Sequence, residues 1–408
     1  MLVQREITVP MTSWLADWAN LLLRWTHFIA GIAWIGSSFY FIWLDRALAT
    51  PAAPRAGVEG DLWMVHSGGF YQVEKRRPGP GEVPAVLHWF KWEAMFTWIT
   101  GISLLVLVYY LSGAYLLDPT VSRISRSAAI ALGLGLLVVG WLVYDGLWSS
   151  RLATRPPPRL ATTISLILLA GVTYALCRLL SGRAAFMHIG SLLGTIMVAN
   201  VWMRILPAQR EMLAATRGGR PADFTLGERA KQRSVHNSYM TFPLLFIMLS
   251  NHYPATYAGP RNWLVLLFLF IAGAAVRHAM IGRGASSRWA LVPAALALAG
   301  AMFFSTPKTA VTGPTGATAD TVPSFAAVRS VVAQRCQPCH SQYQSDRTFG
   351  PAPGGVTFDT PESIVRFAER IRVRAVETKT MPLANKTGMT DQERELLARW
   401  IVAGAPLQ

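Results

Sequence analysis

The chain has 408 residues, of which 52% are hydrophobic and only 15% charged, with a formal net charge of +16. Soluble domains carry about 25% charged residues, so a water-soluble globule is excluded as the whole of the molecule and a lipid bilayer is the expected partner. The basic residues fall mostly in short loops between apolar runs, so membrane orientation accounts for the charge and nucleic acid is not an expected partner.

In chain order, the first apolar run spans roughly 15–44. It is longer than the core of a signal peptide and no small-residue cleavage site follows it, so it is expected to be retained as a span. Further runs lie at roughly 92–117, 127–149, 160–182, 186–206, 237–256, 262–281 and 287–304. A helix needs about 20 apolar residues to cross the hydrocarbon core, which predicts about eight spans. The fifth run is shorter and more polar, with His188 and Asn200. A re-entrant segment there would reduce the count to seven.

With both termini outside, the inner loops hold nineteen Lys and Arg residues, among them Lys75, Arg155, Arg204, Arg233, Arg277 and Arg283. The outer segments hold six, namely Arg5, Arg123, Arg126, Arg178, Arg183 and Arg261. This asymmetry obeys the positive-inside rule and places the N-terminus and the C-terminal tail on the outer side of the membrane.

After Phe304 the composition changes. The stretch "STPKTAVTGPTGATADTVP" has no apolar period and reads as a tether with a reach of roughly 20–25 Å. The expected division is a transmembrane domain over 1–305, a linker over 306–323 and a small domain over 324–408.

That last domain carries Cys336-Gln-Pro-Cys339-His340. Two thiols three apart with an adjacent histidine form the c-type haem attachment signal: the thiols add to the porphyrin vinyls and the imidazole ligates the iron. A zinc knuckle would want further Cys or His residues nearby, and none follows His340. The opposite iron ligand must come from farther along. Met381, in "TMP", is preferred over Met389, which sits too close to the last helix; Met opposite His raises the potential. "SFAAVRSVVAQRC" reads as an amphipathic helix. "TDQERELLARWIVAG" opens on Thr390 with Glu393 three residues on, a capping box. Its Leu396, Leu397, Trp400 and Ile401 form an apolar stripe suited to pack on the first helix. This order resembles the class I cytochrome c fold. The fold class expected for the whole chain is therefore all-α, a polytopic helical membrane domain followed by a class I cytochrome c-like domain, carrying one covalent haem c.

Ionisable groups within spans are functional candidates. His27, His188 and His252 fall toward the outer side, and pairs among them are candidate ligands of a second, b-type haem. His66, His88, His236 and His278 fall toward the inner side, as do Asp45, Glu93 and Asp145, near Arg204 and Arg277. Each taken alone also reads as an interfacial anchor or a satisfied core residue. Gly68 and Gly69 beside His66 suggest a tight backbone turn near a ligand. Trp92 and Trp98 read as an aromatic belt, and Cys177 as an inert thiol.

The strings "FIAGIAWIGSSFYFIWLD" (28–45), "WMVHSGGFYQVEK" (63–75), "LHWFKWEAMFTWITGISLLVLVYY" (87–110) and "VHNSYMTFPLLFIMLSNHY" (235–253) resemble the bacterial membrane-bound urate oxidase (urate hydroxylase) family with a C-terminal cytochrome c domain. The resemblance implies oxidation of urate to 5-hydroxyisourate in purine breakdown. Electrons would pass through the cytochrome domain to a respiratory-chain acceptor such as cytochrome c or a terminal oxidase. The haem ligands it implies are Cys336, Cys339, His340 and Met381. Urate is a flat anion with donors and acceptors on its edge, so its site calls for an aromatic face, a cation and amide-type partners. Attack at C5 calls for a base, expected as His66 or His88, with Glu93 as second proton acceptor. The competing reading is a quinol-to-cytochrome electron-transfer subunit without a urate site.

Overall fold

The computed structural model describes residues 11–407 except 54, 80–81, 112–114, 155–156, 283–284, 307–321 and 347–351. Nearly all of the expected linker lies outside the described residues, as do Arg5, Arg155 and Arg283 of the loop-charge comparison.

The first helix, α1 (Met11–Ala47), is followed by a two-stranded antiparallel hairpin, β1 (Val58–His66) and β2 (Gly69–Arg76). Next come α2 (Trp92–Leu105), extended by a π turn over Val106–Leu111, then α3 (Arg126–Ser149), a short α4 (Arg151–Thr154) and α5 (Arg159–Leu179). The sixth helix, α6 (Gly182–Ala199), runs through a π segment (Asn200–Ile205) into α7 (Leu206–Arg217). The body closes with α8 (Phe224–Ser250), α9 (Asn262–Ile281), a short α10 (Ala285–Arg288) and α11 (Leu291–Ser305). Ser125, Ser181 and Asp223 cap α3, α6 and α8, each accepting from a free N–H of the first turn, which satisfies donors that helix geometry leaves open.

Each apolar run of the sequence falls on a helix. Among the described residues, six helical stretches are long and apolar enough to cross a membrane: Leu15–Ala47, Trp92–Leu111, Arg126–Ser149, Arg159–Leu179, Gly182–Arg217 and Asn262–Ile281. The other two runs differ for identifiable reasons. The first half of α8 carries Glu228, Arg229, Lys231 and Arg233, and α11 has only 15 residues.

The fifth run departs most from expectation. It is neither short nor broken: Gly182–Arg217 is 36 residues long and 78% of its apolar window is buried, against 11% for the first helix. It is the central post of the bundle, and its polar residues are polar because protein, not lipid, surrounds them. Phe186, Ile189, Leu192 and Leu193 form the middle of the main apolar core, together with Leu137 and Trp141 of α3 and Leu266 of α9.

The hairpin adds strands to an all-α expectation. Ser67 and Gly68 both have positive φ, 49° and 78°, the backbone of a two-residue hairpin turn that matches strand twist. The tight turn foreseen at Gly68 and Gly69 therefore serves strand pairing. The hairpin is tied to the body through Asp45, which accepts from Lys75 of β2 at 2.5 Å and from Lys231 of α8 at 2.8 Å.

The tail begins with α12 (Phe325–Arg335) and continues through α13 (Pro361–Arg366), α14 (Ala368–Ile371), a π turn (Arg372–Glu377) and α15 (Asp391–Val402). Val328, Val332, Ile364, Leu397 and Trp400 form its core, and the rings of Phe325 and Trp400 lie 6.0 Å apart. The stripe on α15 packs on α12 as the periodicity predicts. The capping box is present: the Thr390 hydroxyl accepts from the Glu393 N–H at 3.2 Å, and Glu393 Oε2 accepts from the Thr390 N–H at 2.7 Å.

Candidate functional site

Two constellations concentrate chemistry, one in the tail and one inside the body. In the tail, α12 ends at Arg335 and the chain winds one further turn, with the His340 N–H donating to the Cys336 carbonyl at 2.9 Å. That turn puts Cys336, Cys339 and His340 side by side, all half-buried. His340 Nδ1 lies 2.9 Å from the Val356 carbonyl oxygen. A carbonyl only accepts, so Nδ1 carries the proton and Nε2 keeps its lone pair for a metal. The Phe358 ring steadies the imidazole edge-on at 5.5 Å. Burial pushes the Cys336 thiol up to about 12 and raises Cys339 as well. Among the described residues there is no group of three or more His, Cys, Asp or Glu able to hold a metal ion, whereas a structural zinc site uses four ligands.

The two methionines differ. Met389 is 3% exposed and sealed into the tail core, with its backbone N–H and carbonyl both bonded by Asn385. Met381 is half-buried against that core. Two thiols, an imidazole and a half-buried thioether are the side-chain types that a covalently attached haem uses.

Inside the body, the ends of α3 and α6 meet α8 and α9 in a polar cluster organised by the π segment. Asp145 accepts from Arg204 Nε at 2.8 Å, from Arg204 Nη2, and from Arg233 Nη2 at 3.0 Å. Asn200 Nδ2 donates to the Tyr144 hydroxyl at 3.1 Å and to Asn237 Oδ1 at 2.9 Å. The Tyr144 hydroxyl in turn lies 2.7 Å from His236 Nδ1. Arg277 Nε donates to Ser238 at 2.6 Å, and its guanidinium lies 3.6 Å over the Phe39 ring.

Buried polar atoms without a hydrogen-bond partner occur on three of these residues, at Asn200 Oδ1, Arg233 Nη1 and Arg277 Nη2, and also at Trp202 Nε1 in the π segment and Glu93 Oε2 in the first turn of α2. The other two among the described residues, on Tyr109 and Thr173, lie outside this cluster. Unsatisfied buried groups are rare and call for a partner, and π segments recur at functional sites. The cluster offers cationic donors, an amide acceptor, a carboxylate and an aromatic face.

The residues expected as catalytic are not brought together. His66 is exposed at the end of β1, in the hairpin that residues 58–76 form by pairing with each other. His88 is exposed too, edge-on to Phe90 at 4.6 Å. Glu93 alone of the three has a carboxylate oxygen buried and unpartnered, in the first turn of α2.

The three outer histidines separate as well. His188 is fully buried with both nitrogens engaged, Nδ1 at 2.7 Å from the Ala184 carbonyl and Nε2 at 3.0 Å from the Tyr110 hydroxyl. A Cβ on Gly133 of α3 would stand 2.7 Å from that Nε2, so no iron reaches it without moving Tyr110 and α3. His27 Nδ1 lies 2.9 Å from the Thr97 carbonyl and 3.1 Å from the Thr100 hydroxyl, in the α1–α2 seam. His252 is exposed just after α8.

Sequence reasoning missed Arg233, Asn200, Asn237, Tyr144 and Trp202 as site residues. A signal was present: Arg233, Asn237, Ser238 and Thr241 are all buried on α8, a polar stripe at helical spacing inside the protein. Counting Arg233 with the loop cations hid it.

A bundle that turns arginines and amides inward while leaving Trp25, Phe28, Leu142, Ile167 and Phe303 exposed defines a class: a helical protein fit for a lipid bilayer. The chain belongs to the urate oxidase N-terminal family, whose model matches residues 13–306, the span of the helical body. Membership ties the chain to urate and to oxidoreductase chemistry. No curated protein and no solved structure matches it.

Proposed function

We propose that this protein is a membrane-bound urate oxidase that converts urate and water to 5-hydroxyisourate, two protons and two electrons. The electrons pass to a haem c held by Cys336, Cys339, His340 and Met381, and then to a respiratory-chain acceptor. In this reading the helices span the inner membrane about eight times, with the tail on the periplasmic side. A haem c held there would accept electrons one at a time, so the two electrons of each urate would leave in two transfers.

The observation that carries the reading is the set of unpartnered buried groups in a body of this family. Arg277 and Arg233 offer free donors to an anion, and the Phe39 ring packs against the Arg277 guanidinium. Asn200 Oδ1 accepts from a ring N–H. The Glu93 carboxylate takes a proton as water adds. Buried polar groups of this kind reject ligands that leave them unpaired.

A second reading places urate at the other end of the body. A cavity of about 1030 Å³ lies between the outer helix ends and the tail, lined by Tyr115, Arg183, Tyr257 and Asn262 of the body and by Thr378 and Arg394 of the tail. Arg183 lies 4.1 Å over the Tyr115 ring. Aromatic face, cation and amide are again present, and here beside the tail. The transfer is then short, whereas a path from Asn200 runs most of the roughly 30 Å core.

The test adds urate anaerobically to the purified full chain and follows the haem bands. Reduction by urate supports the proposal. Reduction by a quinol but not by urate overturns it in favour of a quinol-to-cytochrome subunit. Arg277→Ala and Arg183→Ala then choose the site: the one that raises KM by about tenfold or more, the loss of a charged hydrogen bond, marks where urate binds.

A further inference from the structure

Arg394 stands out because its cation is buried with no carboxylate among its hydrogen-bond acceptors, although Asp391, Asp118 and Glu393 lie close enough to act on it through space. It projects from α15 and is 5% exposed. Its hydrogen bonds go elsewhere: Nη1 donates to the Met381 carbonyl at 2.8 Å and to the Ala375 carbonyl, and Nη2 donates to Asn385 Oδ1 at 3.3 Å. Burying a charge is costly unless the geometry uses it, and a leucine would fill the same space in a helical core without that cost. The three acceptors share one property: all belong to the segment that carries Met381.

That segment is pinned from both sides. The Met381 N–H donates to the Arg374 carbonyl at 2.9 Å, and the Thr380 hydroxyl donates to the same carbonyl at 3.3 Å. Arg394 takes the Met381 carbonyl. Both peptide groups of Met381 are therefore fixed, and its side chain alone is left to move. Asn385, the third acceptor, also holds Met389 by its N–H and carbonyl. One network thus fixes the backbone of Met381 and locks Met389 into the core.

We propose that Arg394 is the positioning residue of the sulfur ligand. It holds Met381 in reach of the haem iron and sets a fixed positive charge beside it. A nearby cation favours the less positive, ferrous state, so Arg394 raises the reduction potential by two routes, by keeping thioether ligation and by its charge. This inference rests on the haem reading above, and its test separates the two.

The full chain, matured in a host that attaches haem, is read three ways: covalent haem by its haemochrome spectrum, the red methionine-to-ferric-iron absorption band, and the midpoint potential. Arg394→Leu is expected to keep covalent haem, which depends on Cys336 and Cys339, yet lose most of the methionine band and shift the midpoint downward. Arg394→Lys, which keeps the charge but not the forked reach, is expected to recover part of both. A wild-type band and midpoint in Arg394→Leu overturn the proposal. Should that variant fail to accumulate, Arg394→Lys decides on the same axes, and wild-type values there overturn it. Met381→Leu is the control: if it matches the wild-type spectrum, the ligand assignment itself fails, a result distinct from failure of Arg394 alone.

Discussion

The body and the tail solve opposite solvent problems with the same kind of helix. On α8 of the body the buried residues include Arg233, Asn237, Ser238 and Thr241 alongside Ala230, Pro243 and Ile247, while Leu245 and Leu249 are exposed. On α15 of the tail the buried face is built on Leu397 and Trp400, and charge sits toward the surface as the pairs Arg335–Glu393 and Lys379–Asp391. The body hides its hydrogen bonds because lipid cannot satisfy them. The tail hides its hydrocarbon because water cannot solvate it. Among the described residues the buried arginines are Arg233 and Arg277 in the body and Arg394 in the tail.

The contrast breaks most sharply when each region loses its own kind of interior. Asp145→Ala leaves the cations of Arg204 and Arg233 facing each other without their shared carboxylate, and is expected to cost about 3–5 kcal/mol. Trp400→Ala removes a side chain that is 0% exposed, at a similar cost of about 3–5 kcal/mol. Hydrogen exchange with peptide-level readout checks both in the intact chain. Asp145→Ala should deprotect α3 and α8 and leave α15 unchanged, and Trp400→Ala the reverse. Deprotection spreading across both regions would show that they do not behave as separate cores.

A smaller effect tests packing within the body. Gly133→Ala inserts a methyl against the Tyr110–His188 pair, where the added Cβ meets His188 Nε2 at 2.7 Å. Overpacking of this kind costs about 1–3 kcal/mol, to be read as a lowered melting temperature in detergent. No change in melting would mean that α3 withdraws freely from α6.

The smallest expected effect is a pH dependence confined to the tail. Burial raises the Glu393 carboxyl, but hydrogen bonds from the Thr390 N–H and Arg335 outweigh it, and the net shift is downward. A carboxyl depressed in the folded state stabilises above its unfolded value near 4.5, and that contribution is lost as pH falls through the folded value. Protection of α15 should therefore weaken below about pH 4.5, and Glu393→Gln should flatten that acid limb. An unaltered limb in the variant would assign it to another carboxyl.

The tail was the more legible region. Its signals are local: five residues for Cys336–His340, four for the Thr390–Glu393 box, one helical period for the α15 stripe. The body announced its helices through length and apolarity but not its interior. The hairpin escaped notice because Trp63, Val65, Phe70 and Tyr71 are exposed near its tip, so apolar residues occupy both strand faces and alternation is blurred. The polar cluster escaped because it is assembled from α3, α6, α8 and α9, and no single stretch of chain contains it. Arg233 shows the difficulty. Charge alone assigns it to a loop, and only the start of α8 at Phe224 carries it into the protein.

The π segment at Asn200–Ile205 gives that assembly a discrete, countable character. Wider winding accommodates one extra residue in an otherwise regular rod, so everything beyond it is rotated by about 100° from where uniform α winding would leave it. Excising a single residue there would rewind the post and swing Arg204 away from Asp145 with no change in side-chain chemistry. The lower half of the bundle is thus set like the ward of a key, by phase along the shaft as much as by the identity of its teeth.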